Sequence, residues 1–207
     1  MIELFVSAFI TFFVVIDPPG CAPIYAGLTS GASAAHRRSM AIRAVGVATI
    51  ILLVFALVGE DLLRALGISL SAFRIAGGIL LFLIASEMVF EKRTQRREDR
   101  AAAIVETPEV EDVSIFPMAM PMIAGPGSIA SVMLLMSSSD GWERTAVVLA
   151  ALASILLLTL IALLLAEPMM RLVGKKIEAV VTRLLGVLLA ALAVQFVIDG
   201  IDVALIR

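Results

Sequence analysis

Six long apolar runs, almost free of charge, decide what this 207-residue chain can become. They fall near Leu4–Leu28, Ala41–Gly59, Ile68–Phe90, Val113–Ser137, Thr145–Ala166 and Arg183–Leu205. A helix needs about 20 mostly apolar residues to cross a bilayer. Inside lipid every backbone N–H and C=O must be satisfied within the protein, so these runs predict helices rather than open strands. Charged residues make up 16% of the chain, against roughly 25% in a soluble domain. The apolar residues also form unbroken blocks, not the 3.6-residue stripes of a helix half-exposed to water. The predicted class is an all-α membrane protein with six transmembrane helices.

Two of the runs are interrupted by proline and glycine. Ile16-Asp17-Pro18-Pro19-Gly20 and Ile123-Ala124-Gly125-Pro126-Gly127 stand 107 positions apart. Such breaks free backbone groups that lipid cannot satisfy, so they are tolerated only where packed in protein or lining a wet cavity. Matched breaks in the two halves of a membrane chain point to a transport site near the bilayer midplane. The first run is expected to stay in place rather than be cleaved as a signal. Its early charge is Glu3 instead of a basic cluster, and no clear small-x-small site follows.

The same shift of 107 aligns Arg37 with Arg144, Glu60 with Glu167, Arg64 with Arg171 and Gly67 with Gly174. A shift of 109 then pairs Arg74 with Arg183 and Gly77 with Gly186. With three spans per half, the second half must enter the membrane from the opposite side. The expected organisation is therefore two inverted three-helix repeats, residues 1–90 and 113–207, with the first helix of each broken at Pro-Gly. Residues 91–112 read as a charged cytoplasmic linker without apolar periodicity. Twelve of the sixteen Lys and Arg residues fall in the loops on one side. The positive-inside rule makes that side cytoplasmic and puts both termini outside.

Each break would start a new half-helix. Pro19 and Pro126 need no N–H there, and Gly20, Gly125 and Gly127 let a ligand approach the backbone. The two positive helix ends, converging from opposite faces, would suit a carboxylate. Asp17 has two readings. An acid in the membrane interior costs roughly 2.5–3.5 kcal/mol and is by default functional, here as a partner for a substrate ammonium or as a proton carrier. It also suits an N-cap of the second half-helix. Cys21 and Ser128 are repeat partners just past each Pro-Gly, either hydrogen-bonding donors or small packing residues. Arg74 and Arg183 each begin the third span of a half. They either snorkel to the interface or line the pathway and pair with Glu60, Glu167 or the substrate. Gly77, Gly78 and Gly186 are expected to allow close helix packing. Tyr25 and Thr29 read as boundary residues.

The segments DPPGCAPIYAGLT, Asp17–Thr29, and PMAMPMIAGPGSI, Pro117–Ile129, resemble the signatures of the MarC family of bacterial integral membrane proteins. The resemblance runs over essentially the whole chain. It implies an inner-membrane protein that moves small neutral amino acids such as glycine, alanine, serine or threonine, with proton or sodium coupling.

The function expected is thus a secondary transporter working by alternating access. One histidine, one cysteine and one deep acid leave no metal set and no nucleophile–base pair, so an enzyme is not expected and no cofactor is implied. A channel, or a membrane assembly factor without transport activity, is the alternative. The lipid bilayer and the substrate are the expected partners; nothing points to nucleic acid, and a homo-oligomer is left open.

Overall fold

The computed structural model describes residues 1–90, 112–139 and 141–205. Residues 91–111, most of the expected linker, lie outside the described residues, as do Asp140 and the last two positions. Eight helical segments are present among the described residues: α1 Ile2–Ile16, α2 Pro18–Leu28, α3 Ala34–Ala65, α4 Leu70–Val89, α5 Ser114–Ile123, α6 Pro126–Ser137, α7 Trp142–Leu164 and α8 Ala166–Leu205. Five spans are long and apolar enough to cross a membrane, and six if the bent pair α5–α6 is one span. The all-α membrane class expected from the apolar runs is the class observed.

Local chemistry sets the helix ends. Ser33 caps α3 by accepting from the His36 N–H at 3.3 Å, and Ser69 caps α4 by accepting from the Ala72 N–H at 3.1 Å. Several helices outrun their apolar cores. α3 has 32 residues and α8 has 40, of which only Thr182–Leu205 is apolar enough to span. The basic stretch before Arg183, expected as a loop, is thus helical backbone. Pro168 falls in the first turn of α8, where a missing N–H costs nothing, and no later proline stops the helix.

α4 and α8 form the most extensive contact, and they run antiparallel. A Cβ on Gly200 would meet Ile75 at 2.7 Å, one on Gly78 would meet the Ala193 carbonyl at 2.7 Å, and one on Gly186 would meet Met88 at 2.9 Å. Small residues let the two backbones approach closely, as expected for Gly78 and Gly186. α1 and α2 pack on α7, and α5 and α6 pack on α3; α2 lies on α8, and α6 on α4. The interior holds large apolar side chains such as Phe12, Leu52, Leu81, Ile123 and Leu152. The hydroxyls of Thr11, Ser131 and Thr159 are buried with them. Each donates to the carbonyl four residues back, at 2.7, 2.8 and 2.8 Å respectively, so none is stranded in the core. Large apolar side chains also cover the outside, among them Ile50 and Leu57 on α3, Phe82 and Leu83 on α4 and Leu184 and Leu188 on α8. Such a coat suits lipid as the solvent.

Candidate functional site

The first break is a single residue. Proline disfavours the right-handed helical region in the residue before it, and Asp17 precedes Pro18. Asp17 adopts the left-handed conformation, φ 59° and ψ 64°, which aspartate tolerates better than most residues. It closes α1 with its N–H on the Phe13 carbonyl, at 2.9 Å, and opens α2 with its side chain, whose Oδ1 accepts from the Gly20 N–H at 3.1 Å. Pro18 and Pro19 occupy the first turn, where donors are not needed. Asp17 is 3% exposed. Gly20 has no room for a side chain, because a Cβ would stand 2.7 Å from Asp17 Cγ. The Cys21 thiol is fully buried, 3.4 Å from the Ile16 carbonyl. α1 and α2 nevertheless continue as one span, Ile2–Leu28.

The second break is larger and begins earlier than the Pro-Gly motif. α5 is a π-helical turn segment carrying Pro117 and Pro121. Phe116 and Met120, the residues before them, are extended at φ −123°, ψ 126° and φ −133°, ψ 126°. This is the conformation that a following proline imposes. The irregular stretch thus starts at Phe116, ahead of the break expected at Ile123–Gly127. α5 and α6 meet at 51°. Gly125 caps α6 without a side chain, and a Cβ there would collide with the Pro121 carbonyl oxygen. Gly127 and Ser128 are buried, Pro19 is partly buried and Pro126 is exposed.

The two breaks meet. A Cβ on Gly127 would stand 3.3 Å from Val15, two residues before Asp17, and 2.5 Å from Ile84 of α4. The helix starts differ in one respect: α2 has its first turn capped by the Asp17 carboxylate, whereas α6 has no side-chain cap.

Cavities lie at the helix ends. At one end a cavity of about 520 Å³ is lined by Tyr25, Thr29, Ser30, Arg37, Arg38 and Glu167, among others. At the other, about 400 Å³ opens beside Glu60, Arg64, Ser69, Ser71 and Arg74. A further 190 Å³ or so adjoins Phe55, Glu60, Met133, Ser137 and Thr145.

Glu167 Oε2 pairs with Arg37 Nη2 at 2.7 Å, and Glu60 Oε1 with Arg64 Nη2 at 3.1 Å. Arg74 lines the same cavity as Glu60. Its Nη2 donates to the Ser137 carbonyl at 3.2 Å, and its buried Nε finds no acceptor among the described residues. Arg183 is exposed on α8. Arg37 was not singled out from sequence as a pathway residue, although its match to Arg144 marked it. The Tyr25 hydroxyl donates to the Arg37 carbonyl and so ties the end of α2 to the start of α3. Among the described residues no group of three or more His, Cys, Asp or Glu could hold a metal.

Apolar spans with buried, interrupted helices define a multi-pass α-helical integral membrane protein. The chain belongs to the MarC family of integral membrane proteins, whose family model matches residues 2–205. It is 39% identical to a UPF0056 membrane protein of Methanocaldococcus jannaschii over 99% of both chains. A UPF0056 membrane protein of Bacillus subtilis is 33% identical over 97% of this chain and 95% of its own. One from Aquifex aeolicus is 33% identical over 96% and 92%. No solved structure matches this chain.

Proposed function

We propose that this protein is a secondary transporter that exports or exchanges small neutral amino acids, with proton or sodium coupling, by alternating access of two inverted three-helix repeats. The observation that carries the reading is the meeting of the two broken helices in the buried interior. One contributes a carboxylate, Asp17; the other contributes a helix start without a side-chain cap, at Gly127 and Ser128. A carboxylate and the positive end of a helix complement the ammonium and carboxylate of a zwitterion. The packing supports the repeat: exchanging the halves turns the α1/α2 contact with α7 into the α5/α6 contact with α3, and α2 on α8 into α6 on α4. The third spans of the two halves, α4 and α8, run antiparallel, as inversion requires. The Lys/Arg bias orients both termini outward across a cytoplasmic membrane.

Purified protein in liposomes, assayed with radiolabelled alanine under imposed proton or sodium gradients, tests the proposal. Saturable, stereoselective counterflow is expected. A linear leak would assign a channel instead, and absence of any flux across a panel of small amino acids would end the transport reading.

A further inference from the structure

We propose that two ion pairs, Arg37–Glu167 and Glu60–Arg144, are alternative latches at the two ends of the α3/α7 pair, closed one at a time. This deepens the transporter reading above and rests on its inverted repeat.

α3 and α7 touch and run antiparallel. Arg37, in the first turn of α3, reaches Glu167, three residues past the end of α7. At the opposite end the last turns of α3, with Glu60, share a cavity with Thr145 in the first turn of α7. The residue beside Thr145 is Arg144. Each end of the helix pair therefore carries an arginine from one half of the chain and a glutamate from the other, among further charged residues such as Arg38 and Arg64.

The repeat relates the two sets. Arg37 matches Arg144, and Glu60 matches Glu167, both at a shift of 107. Exchanging the halves converts the pair Arg37–Glu167 into Arg144–Glu60. The structure shows one made and the other open. Arg37 and Glu167 are 2.7 Å apart, whereas Glu60 turns along its own helix to Arg64, and Arg144 has no ion pair among the described residues. Cavities lie at both ends, about 520 Å³ beside Arg37 and Glu167 and about 190 Å³ beside Glu60 and Thr145, so each latch has room to part and to close. An inverted repeat caught with one latch shut and its mate parted implies the mirrored state, in which Glu60 leaves Arg64 for Arg144 and Arg37 releases Glu167.

The surroundings suit a contact that breaks in every cycle. Arg37 and Glu167 keep 28% and 52% of their side-chain surface exposed. Exposed pairs of this kind add little to stability, so their opening is no large barrier. Tyr25 holds the Arg37 backbone from α2, which couples this latch to the helix broken at Asp17.

The test is reversible cross-linking of the full chain in liposomes with a short bifunctional methanethiosulfonate. Three variants are compared: Arg37→Cys/Glu167→Cys, Glu60→Cys/Arg144→Cys, and the quadruple variant. The buried Cys21 stays in place, with wild type as the control. Each double variant is expected to cross-link intramolecularly, and in the quadruple variant the first cross-link should suppress the second at least tenfold. Each cross-link should lower alanine counterflow at least tenfold, with recovery on reduction. Simultaneous formation of both links in one chain, or no Glu60→Cys/Arg144→Cys link at all, would overturn the latches. The exclusion is read from the mass of the protein and needs no transport. If wild-type liposomes carry no amino acid while the links still exclude one another, the transport reading fails and the latches stand. In a second arm, Arg37→Glu should move the labelling of Ser30→Cys, and the swap Arg37→Glu/Glu167→Arg should restore it; an unchanged rate in Arg37→Glu argues against the latch.

Discussion

Asp17 and Gly20 are built for each other: the Asp17 carboxylate accepts the Gly20 N–H at 3.1 Å and occupies the space where a Gly20 side chain would stand. The acid that the sequence marks as a ligand for substrate is thus also the residue that turns the corner between α1 and α2. Its two roles separate by substitution.

Asp17→Asn keeps both the cap and the tolerance of a left-handed backbone. We expect its thermal midpoint to match wild type while alanine counterflow is lost or uncoupled from the ion gradient. Asp17→Ala removes the cap as well and should lose roughly 2 kcal/mol, adding about 1 for the cap and about 1 for the strained backbone. Unchanged transport and pH dependence in Asp17→Asn would leave the residue with the cap alone.

Gly125 and Gly127 differ in what surrounds them. A Cβ on Gly125 would collide with the Pro121 carbonyl oxygen, part of the backbone, whereas one on Gly127 meets the tip of Ile84, at 2.5 Å. A side-chain tip can rotate away; a carbonyl in a proline-bound turn cannot. Gly125→Ala should therefore be destabilised by about 1–3 kcal/mol, and Gly127→Ala by distinctly less. Thermal unfolding in detergent compares them, and equal losses would contradict the packing described.

Glycines in the helices separate in the same way. Gly46 in α3 has nothing within 4 Å of a Cβ position, but Gly78 in α4 would place one 2.7 Å from the Ala193 carbonyl. Gly46→Ala is expected to stabilise the protein by about 0.5–1 kcal/mol through helix propensity. Gly78→Ala should push α4 off α8 and lower the midpoint.

Acid should loosen the tie between α3 and the start of α5. Arg43 Nη1 lies 2.7 Å from Asp112 Oδ2, and the Ser114 N–H donates to Asp112 Oδ1 at 2.9 Å. Burial pushes this carboxyl up, but hydrogen bonding from Ser114 and the charges of Arg43 and His36 outweigh it and hold its pKa below the ordinary value. A depressed folded-state pKa means a contribution fully present above the unfolded value, about 3.9. It is lost as pH falls through the lower, folded-state value. The stability difference between wild type and Asp112→Asn should thus be present at about pH 5 and shrink as the pH falls below the ordinary carboxylate value, about 3.9.

Much of this was legible without coordinates. A bilayer forces a backbone to pair with itself, so the apolar runs had to be helices, and Pro and Gly had to break them at Asp17 and Gly125. The resemblance carried by the two Pro-Gly segments led to the family to which the chain belongs. Some signals were present but not followed: Pro117 and Pro121 already implied an irregular stretch before Gly125, since each proline bars its predecessor from the helix. Charge alone makes the basic segment before Arg183 read as a loop, whereas Lys, Arg, Glu and Ala are good helix formers and its backbone is helical.

The sequence by itself determined what each segment does locally, because helix formation, capping and proline breaks depend on neighbours a few residues away. Only the tertiary structure decided which residues meet: Val15 against Gly127, Arg37 on Glu167 rather than Arg183 or Arg74, and Arg74 on the Ser137 carbonyl. Those contacts follow from how whole helices seat against one another, and the spacing of residues along one chain does not carry that information.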